Sequence, residues 1–252
     1  KPDIPEYHYN LGVSFKLQGK LDKAISCYQK TILLKPEFTP AYNNIGNILL
    51  KLERLEEAKI CFKKATILNP SYTEAFNNLA VTYKFLYQNK LAYKNFEKCL
   101  DLNSNYLPAL INFAILKKDL NEYESAIKLL EDSLKIKPNP NEIKILFSLS
   151  ELYEQKGEIE KAKEIIKKIL VLNNSNTAAH YILSKYLDYK KETKHLQEME
   201  ILFKKNNLNT QEISNLSFAL GKAYEQKSEY EKSFNFYKIA NETKRKKLNY
   251  NL

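Results

Sequence analysis

Asn10-Leu11-Gly12 returns as Asn44-Ile45-Gly46, as Asn78-Leu79-Ala80 and as Asn112-Phe113-Ala114, each time thirty-four residues further along the chain. Beyond this triplet the same period places Ala24, Ala58, Ala92, Ala126 and, after a two-residue insertion, Ala162 in one slot. Four residues later stand Tyr28, Phe62, Phe96, Leu130 and Ile166. His8, Tyr42, Phe76, Leu110, Leu146 and His180 precede the triplet slot at a constant distance, and Pro36, Pro70 and Pro138 close three units, with Ser104 and Asn174 in their place elsewhere. A fixed period of this length belongs to stacked supersecondary units, each unable to bury its apolar face alone.

Within one unit the spacing is helical. Leu11, Phe15 and Leu17 stand at helical spacing, Gly19 breaks the run, and Leu21, Ala24, Ile25, Tyr28 and Ile32 form a second amphipathic run. Gly or Ala at the Gly12 slot and Ala at the Ala24 slot remove bulk, so two helices can approach closely. Thr39-Pro40 has the form of a capping residue followed by proline in the first helical turn. The carboxylates Glu56, Glu57, Glu158 and Glu160 fall at turns or helix starts, where they favour the helix dipole.

The pattern of bulky residue, Leu-Gly, aromatic, small Ala, aromatic and Pro over thirty-four residues resembles the tetratricopeptide repeat. That resemblance implies an all-α, right-handed superhelical solenoid of about seven antiparallel helix-turn-helix hairpins, forming one continuous domain over residues 1–252. The units expected are 5–38, 39–72, 73–106, 107–140 and 143–176, then a degenerate 177–213 whose second helix runs from His195 to Asn206, and finally 214–247.

Forty basic residues against thirty acidic ones leave a net charge of +10. Arg54 and Arg245 are the sole arginines, and arginine is the residue suited to bidentate reading of phosphate and guanine. The lysines are interleaved with Glu and Asp apart from Lys244-Arg245-Lys246-Lys247, so the basic balance describes a solvated surface and not a nucleic-acid or membrane partner. No apolar stretch has membrane-spanning length. Cys27, Cys61 and Cys99 lack metal-ligand spacing and are expected as buried free thiols in a reducing, cytoplasmic setting, which disfavours glycosylation at Asn173, Asn215 and Asn241. The chain starts without Met and is expected to be a piece of something longer.

Catalysis finds no constellation here, and no cofactor or metal is expected. The repeat accounts for Gly12, Gly46 and Gly221 in the close-packing slot and for Gly19 and Gly157 in turns, which leaves no phosphate loop. His8 and His180 occupy the bulky slot, and His195 stands alone in the degenerate unit.

The asparagines carry the functional reading. Asn10, Asn44, Asn78 and Asn112 are expected beside the buried stripe of the first helices, exposed and facing one shared groove. A carboxamide offers a donor and an acceptor together, which matches a peptide backbone. Packed helices lie about 8–10 Å apart and an extended chain advances about 3.3 Å per residue, so one rung would grip about every third ligand residue. Tyr9, Asn43, Asn47, Asn77 and Lys84 are expected to flank the rungs and add selectivity. The first reading is thus a non-catalytic scaffold for a protein or extended peptide, although asparagine in this slot is also explained by inherited repeat consensus. A second rests on Leu216 to Glu225, Tyr230 to Phe234 and Ala240 to Glu242, which resemble the last repeat of bacterial tetratricopeptide–sulfotransferase proteins and imply a substrate-recruiting arm with chemistry beyond Leu252. A third is self-association through end repeats.

Overall fold

The computed structural model describes residues 3–205 and 207–247. Among these every regular element is an α-helix, and the chain divides between Pro138 and Asn139 into two compact units. The first unit holds α1 (Pro5–Leu17) paired with α2 (Leu21–Leu34), α3 (Thr39–Lys51) with α4 (Leu55–Leu68), α5 (Thr73–Phe85) with α6 (Asn89–Leu102), and α7 (Leu107–Asp119) with α8 (Tyr123–Lys135). The second holds α9 (Glu142–Gln155) with α10 (Ile159–Leu172), α11 (Thr177–Ser184), α12 (Lys194–Phe203), and α13 (Thr210–Gln226) with α14 (Tyr230–Lys247). The fold is an all-α helical-repeat solenoid.

Close approach within a hairpin comes from the slots the period marks. A Cβ added at Gly12, Gly46 or Gly221 would lie 2.6, 2.6 or 2.8 Å from a ring carbon of Tyr28, Phe62 or Tyr237. Each of these rings therefore presses on bare backbone. Ala24, Ala58, Ala92, Ala126 and Ala162 are all fully buried, as are Tyr28, Phe62 and Phe96.

The turn inside each regular hairpin repeats one backbone solution. Gly19, Glu53, Tyr87, Asn121, Gly157 and Ser228 have φ of 73°, 59°, 57°, 60°, 79° and 61°. At each, the turn N–H and the one after it fold back onto carbonyls of the first helix, as with Gly19 N to Lys16 O at 3.0 Å and Lys20 N to Phe15 O at 2.9 Å. Those bonds satisfy carbonyls that the helix end leaves open, which offsets the cost of about 1–2 kcal/mol for a side chain in the left-handed region. Between hairpins, Asn69, Asn103 and Asn173 accept a backbone N–H two residues on with their side-chain oxygens.

Three local expectations are corrected. Thr39 does not cap α3: its hydroxyl donates to the carbonyl of Glu37 at 3.3 Å, and Phe38 occupies the cap position without a side-chain bond. The second helix of the sixth hairpin runs Lys194–Phe203, while its expected end at Asn206 lies outside the described residues. The last hairpin begins at Thr210, ahead of the expected 214, because Asn209 and Glu212 form a capping box there. Of the basic tetrad, Lys244 and Arg245 are exposed, and the side chains of Lys246 and Lys247 lie outside the described residues.

Ala58→Leu adds methylenes where no surface is accessible, so it is expected to lower stability by about 1–3 kcal/mol. A urea melt measures this, and an unchanged midpoint would show that the hairpin has slack.

Candidate functional site

Side-chain hydrogen bonds bridge the first helices of the first unit in two networks, one joining Asn44 of α3 to Tyr9 and Lys16 of α1, the other joining the amides of α3, α5 and α7. Asn44 donates through Nδ2 to the Tyr9 hydroxyl at 3.0 Å, and its Oδ1 accepts from Lys16 Nζ at 3.2 Å. Asn78 Nδ2 donates to Asn43 Oδ1 at 3.1 Å and to Asn47 Oδ1 at 3.0 Å, while its own oxygen accepts from Asn77 at 3.1 Å. Asn112 Nδ2 donates to Asn77 Oδ1 at 3.1 Å, and Asn43 Nδ2 donates to the Glu74 carboxylate at 2.9 Å. Three of these bonds reach back thirty-five residues, joining each rung to the residue before the previous rung.

This placement differs from a row of exposed amides. Asn10 is exposed, and its side chain has no partner among the described residues, whereas Asn44, Asn78 and Asn112 are half-buried and bridge neighbouring hairpins. Asn43 and Asn77, expected at the rim, are 2% and 4% exposed. One step along a helix turns the side chain by about 100°, which carries them from the surface into the seam between hairpins. Tyr9 packs its ring on Tyr28 and Phe38, and Lys84 pairs with Asp119 at 3.0 Å. Some hydrogen-bonding capacity remains unspent: Asn47 Nδ2 and Asn112 Oδ1 have no partner among the described residues.

A second polar cluster lies in the sixth hairpin, where the sequence pattern placed His195 alone. His195 is instead the middle of a buried chain, with Tyr189 Oη 2.7 Å from its Nδ1 and His180 Nδ1 2.9 Å from its Nε2. His180 Nε2 lies 2.9 Å from the carbonyl oxygen of Asn174. That carbonyl can only accept, and with burial holding both rings neutral it fixes every proton upstream. His180 carries its proton on Nε2, His195 donates from Nε2 to His180 Nδ1, and Tyr189 donates its hydroxyl to His195 Nδ1. Both imidazoles are neutral in this arrangement. Burial holds His180 below its usual value, and burial reinforced by the neighbouring His180 takes His195 down to about 4. The sequence did contain a signal: twelve and sixteen residues beyond Ser184, where other units carry Ala and a bulky apolar residue, stand Leu196 and Glu200.

The three cysteines are free, and burial raises each thiol above its ordinary value, with Cys61 pushed up to about 11 and Cys99 to about 12. Among the described residues no group of His, Cys, Asp or Glu is placed to hold a metal, and no helix is long and apolar enough to cross a membrane.

Because both imidazoles titrate below the ordinary value of 6.5, the unfolded chain binds more protons than the folded one as pH falls below that value. The stability they contribute is complete above about 6.5 and is lost progressively as the pH falls towards about 4. Urea melts between about pH 7 and about pH 5.5 should show a loss of about 1 kcal/mol from His195 alone. A flat profile over that window would contradict the neutral chain.

Models described as tetratricopeptide repeat match residues 5–38, 39–72, 73–106, 107–140 and 143–176. An uncharacterised protein of Aquifex aeolicus is 29% identical over 111 residues, which is 44% of this chain and 14% of that protein, so the chain matches a small part of that relative. A solved tetratricopeptide repeat protein from Parabacteroides merdae superposes with a TM-score of 0.64 at 18% identity, covering 95% of this chain and 93% of that one. The structure of YrrB, described as a tetratricopeptide protein with an unusual peptide-binding site, superposes with a TM-score of 0.56 at 23% identity over 71% of this chain and 91% of its own.

Proposed function

Since the chain belongs to the tetratricopeptide repeat family, we propose that it is a non-catalytic protein-interaction scaffold that holds an extended peptide along α1, α3, α5 and α7. The observation carrying this reading is the repeated bridge at one slot, where Asn44, Asn78 and Asn112 each tie their own first helix to the preceding one. A peptide backbone presents the same donor and acceptor types as the lateral partners of these amides. It can therefore replace those bonds one for one, while Asn10, Asn47 and Asn112 add the groups they hold unspent. The ligand is read by its main chain, so affinity depends on an extended conformation more than on a particular sequence. Lys16 and Lys84, each already engaged with an amide or a carboxylate, would bias the groove towards acidic side chains. The description of YrrB as a peptide-binding relative supports the same use of the fold. The three free thiols suit a reducing, cytoplasmic setting.

Binding to an array of short unstructured peptides tests the proposal. Asn10→Ala removes an exposed side chain and should leave the melt unchanged within about 0.5 kcal/mol while weakening retention. The triple replacement Asn44→Ala, Asn78→Ala and Asn112→Ala should abolish retention and also lower stability by about 0.5–1.5 kcal/mol for each bridging bond lost. Full retention by the triple variant, with its helicity intact by circular dichroism, would sink the clamp.

A further inference from the structure

The sixth hairpin fails to close, and the reason lies in two side chains. Leu196 is too large for the slot where regular units carry Ala, and Glu200 takes the place of the ring or bulky aliphatic side chain that plugs the other hairpins. Glu200 turns away from its own hairpin and accepts a hydrogen bond from Tyr224 of α13. Consequently α11 packs on α10 and α13, and α12 packs on α13, without the close contact that the two helices of other hairpins share. An open-mouthed cavity of about 560 Å³ is left between α10, α11, α12 and the connecting segment at 185–193.

The lining of this cavity specifies a ligand. Its walls are aliphatic, from Leu170, Leu183, Leu187 and Leu202. His180 and His195 also line it, with rings stacked at 5.0 Å, but every ring nitrogen is already committed within the chain from Tyr189 to the Asn174 carbonyl. These imidazoles offer ring surface to an occupant and no free donor or acceptor. Charge sits among the remaining lining residues. Lys194 lies 4.0 Å from Glu198, whereas Lys167 and Lys205 have no partner among the described residues, and Glu192 is the remaining carboxylate. The balance favours one negative head group. A cavity of this volume, apolar with a few placed charges, falls in the range of small-molecule sites.

We propose that this cavity binds an amphipathic monoanion, an aliphatic chain carrying a single carboxylate, with its chain against the leucines and imidazole faces and its head at Lys167 and Lys205. The site lies wholly in the second unit, so it stands or falls independently of the peptide groove. No covalent step is involved. The occupant completes the hairpin by supplying the apolar volume that a bulky apolar side chain supplies elsewhere.

Calorimetric titration of the whole chain with decanoate, decanol and decylamine tests this. Decanoate should saturate at one molecule per chain and bind more tightly than decylamine. Replacing both Lys167→Glu and Lys205→Glu should weaken decanoate by about tenfold or more and leave decanol unchanged. Leu170→Trp, at a half-buried position of α10, should fill the space and remove binding. The unmodified chain gives a separate reading that does not rely on variants folding: the imidazole nitrogen resonances of His180 and His195 should shift with decanoate saturation. Absence of saturable binding, stronger binding of decylamine, or decanoate binding unmoved by the lysine replacements would each overturn the proposal.

Discussion

Three hairpins are built on one contact, a side-chain ring laid against backbone that has no room for a Cβ, and the other regular ones place Ala or Ser and a bulky apolar side chain in the same slots. Tyr28 meets Gly12, Phe62 meets Gly46 and Tyr237 meets Gly221 at distances a Cβ would violate. This contact sets how far apart the two helices of a hairpin stand. Hairpins in a repeat array touch only their neighbours, so the same distance sets the spacing of successive first helices. The asparagines can bridge from one hairpin to the next only because that spacing is constant.

The amides tie neighbouring hairpins together, and the proposed function asks a second task of the same atoms. As lateral bonds, the carboxamides tie α1 to α3, α3 to α5 and α5 to α7, each bond contributing modestly because water would have satisfied the same groups. On the proposed reading they would exchange these bonds and not simply add new ones, so enthalpy gained from a peptide would be partly returned. The buried pair Asn43 and Asn77 would be drawn into that exchange, because their Oδ1 atoms accept from Asn78 and Asn112. Both are enclosed, and leaving either unsatisfied would carry the desolvation cost of a buried amide. That cost weighs against displacing Asn78 and Asn112, whereas Asn44 would give up only its bonds to Tyr9 and Lys16.

In the sixth hairpin the ring-on-backbone contact is missing. Without a plug, apolar space opens, and polar groups fill part of it as a one-directional chain ending on a main-chain carbonyl. A low-dielectric surrounding keeps both imidazoles neutral and makes the order of donors and acceptors unique. In the regular hairpins the interior is rings or bulky aliphatic side chains against small residues; here it is a hydrogen-bonded chain beside a cavity.

The period, the five regular units, the small and aromatic slots, and the turn positions of Gly19 and Gly157 were all legible in the string of residues. Each is a contact at a fixed offset along the chain, and a repeated offset is visible in letters alone. Other features emerged only once the helices were packed: Glu53, Tyr87 and Ser228 share the glycine turn conformation, Thr39 bonds backwards, and α13 starts at a capping box. Packing likewise encloses Asn43 while leaving Asn10 open, and gives His195 partners on both sides. Each of those outcomes turns on which way a side chain points and what stands within about 3 Å of it. Direction follows from rotamer and local packing, and no spacing rule encodes either.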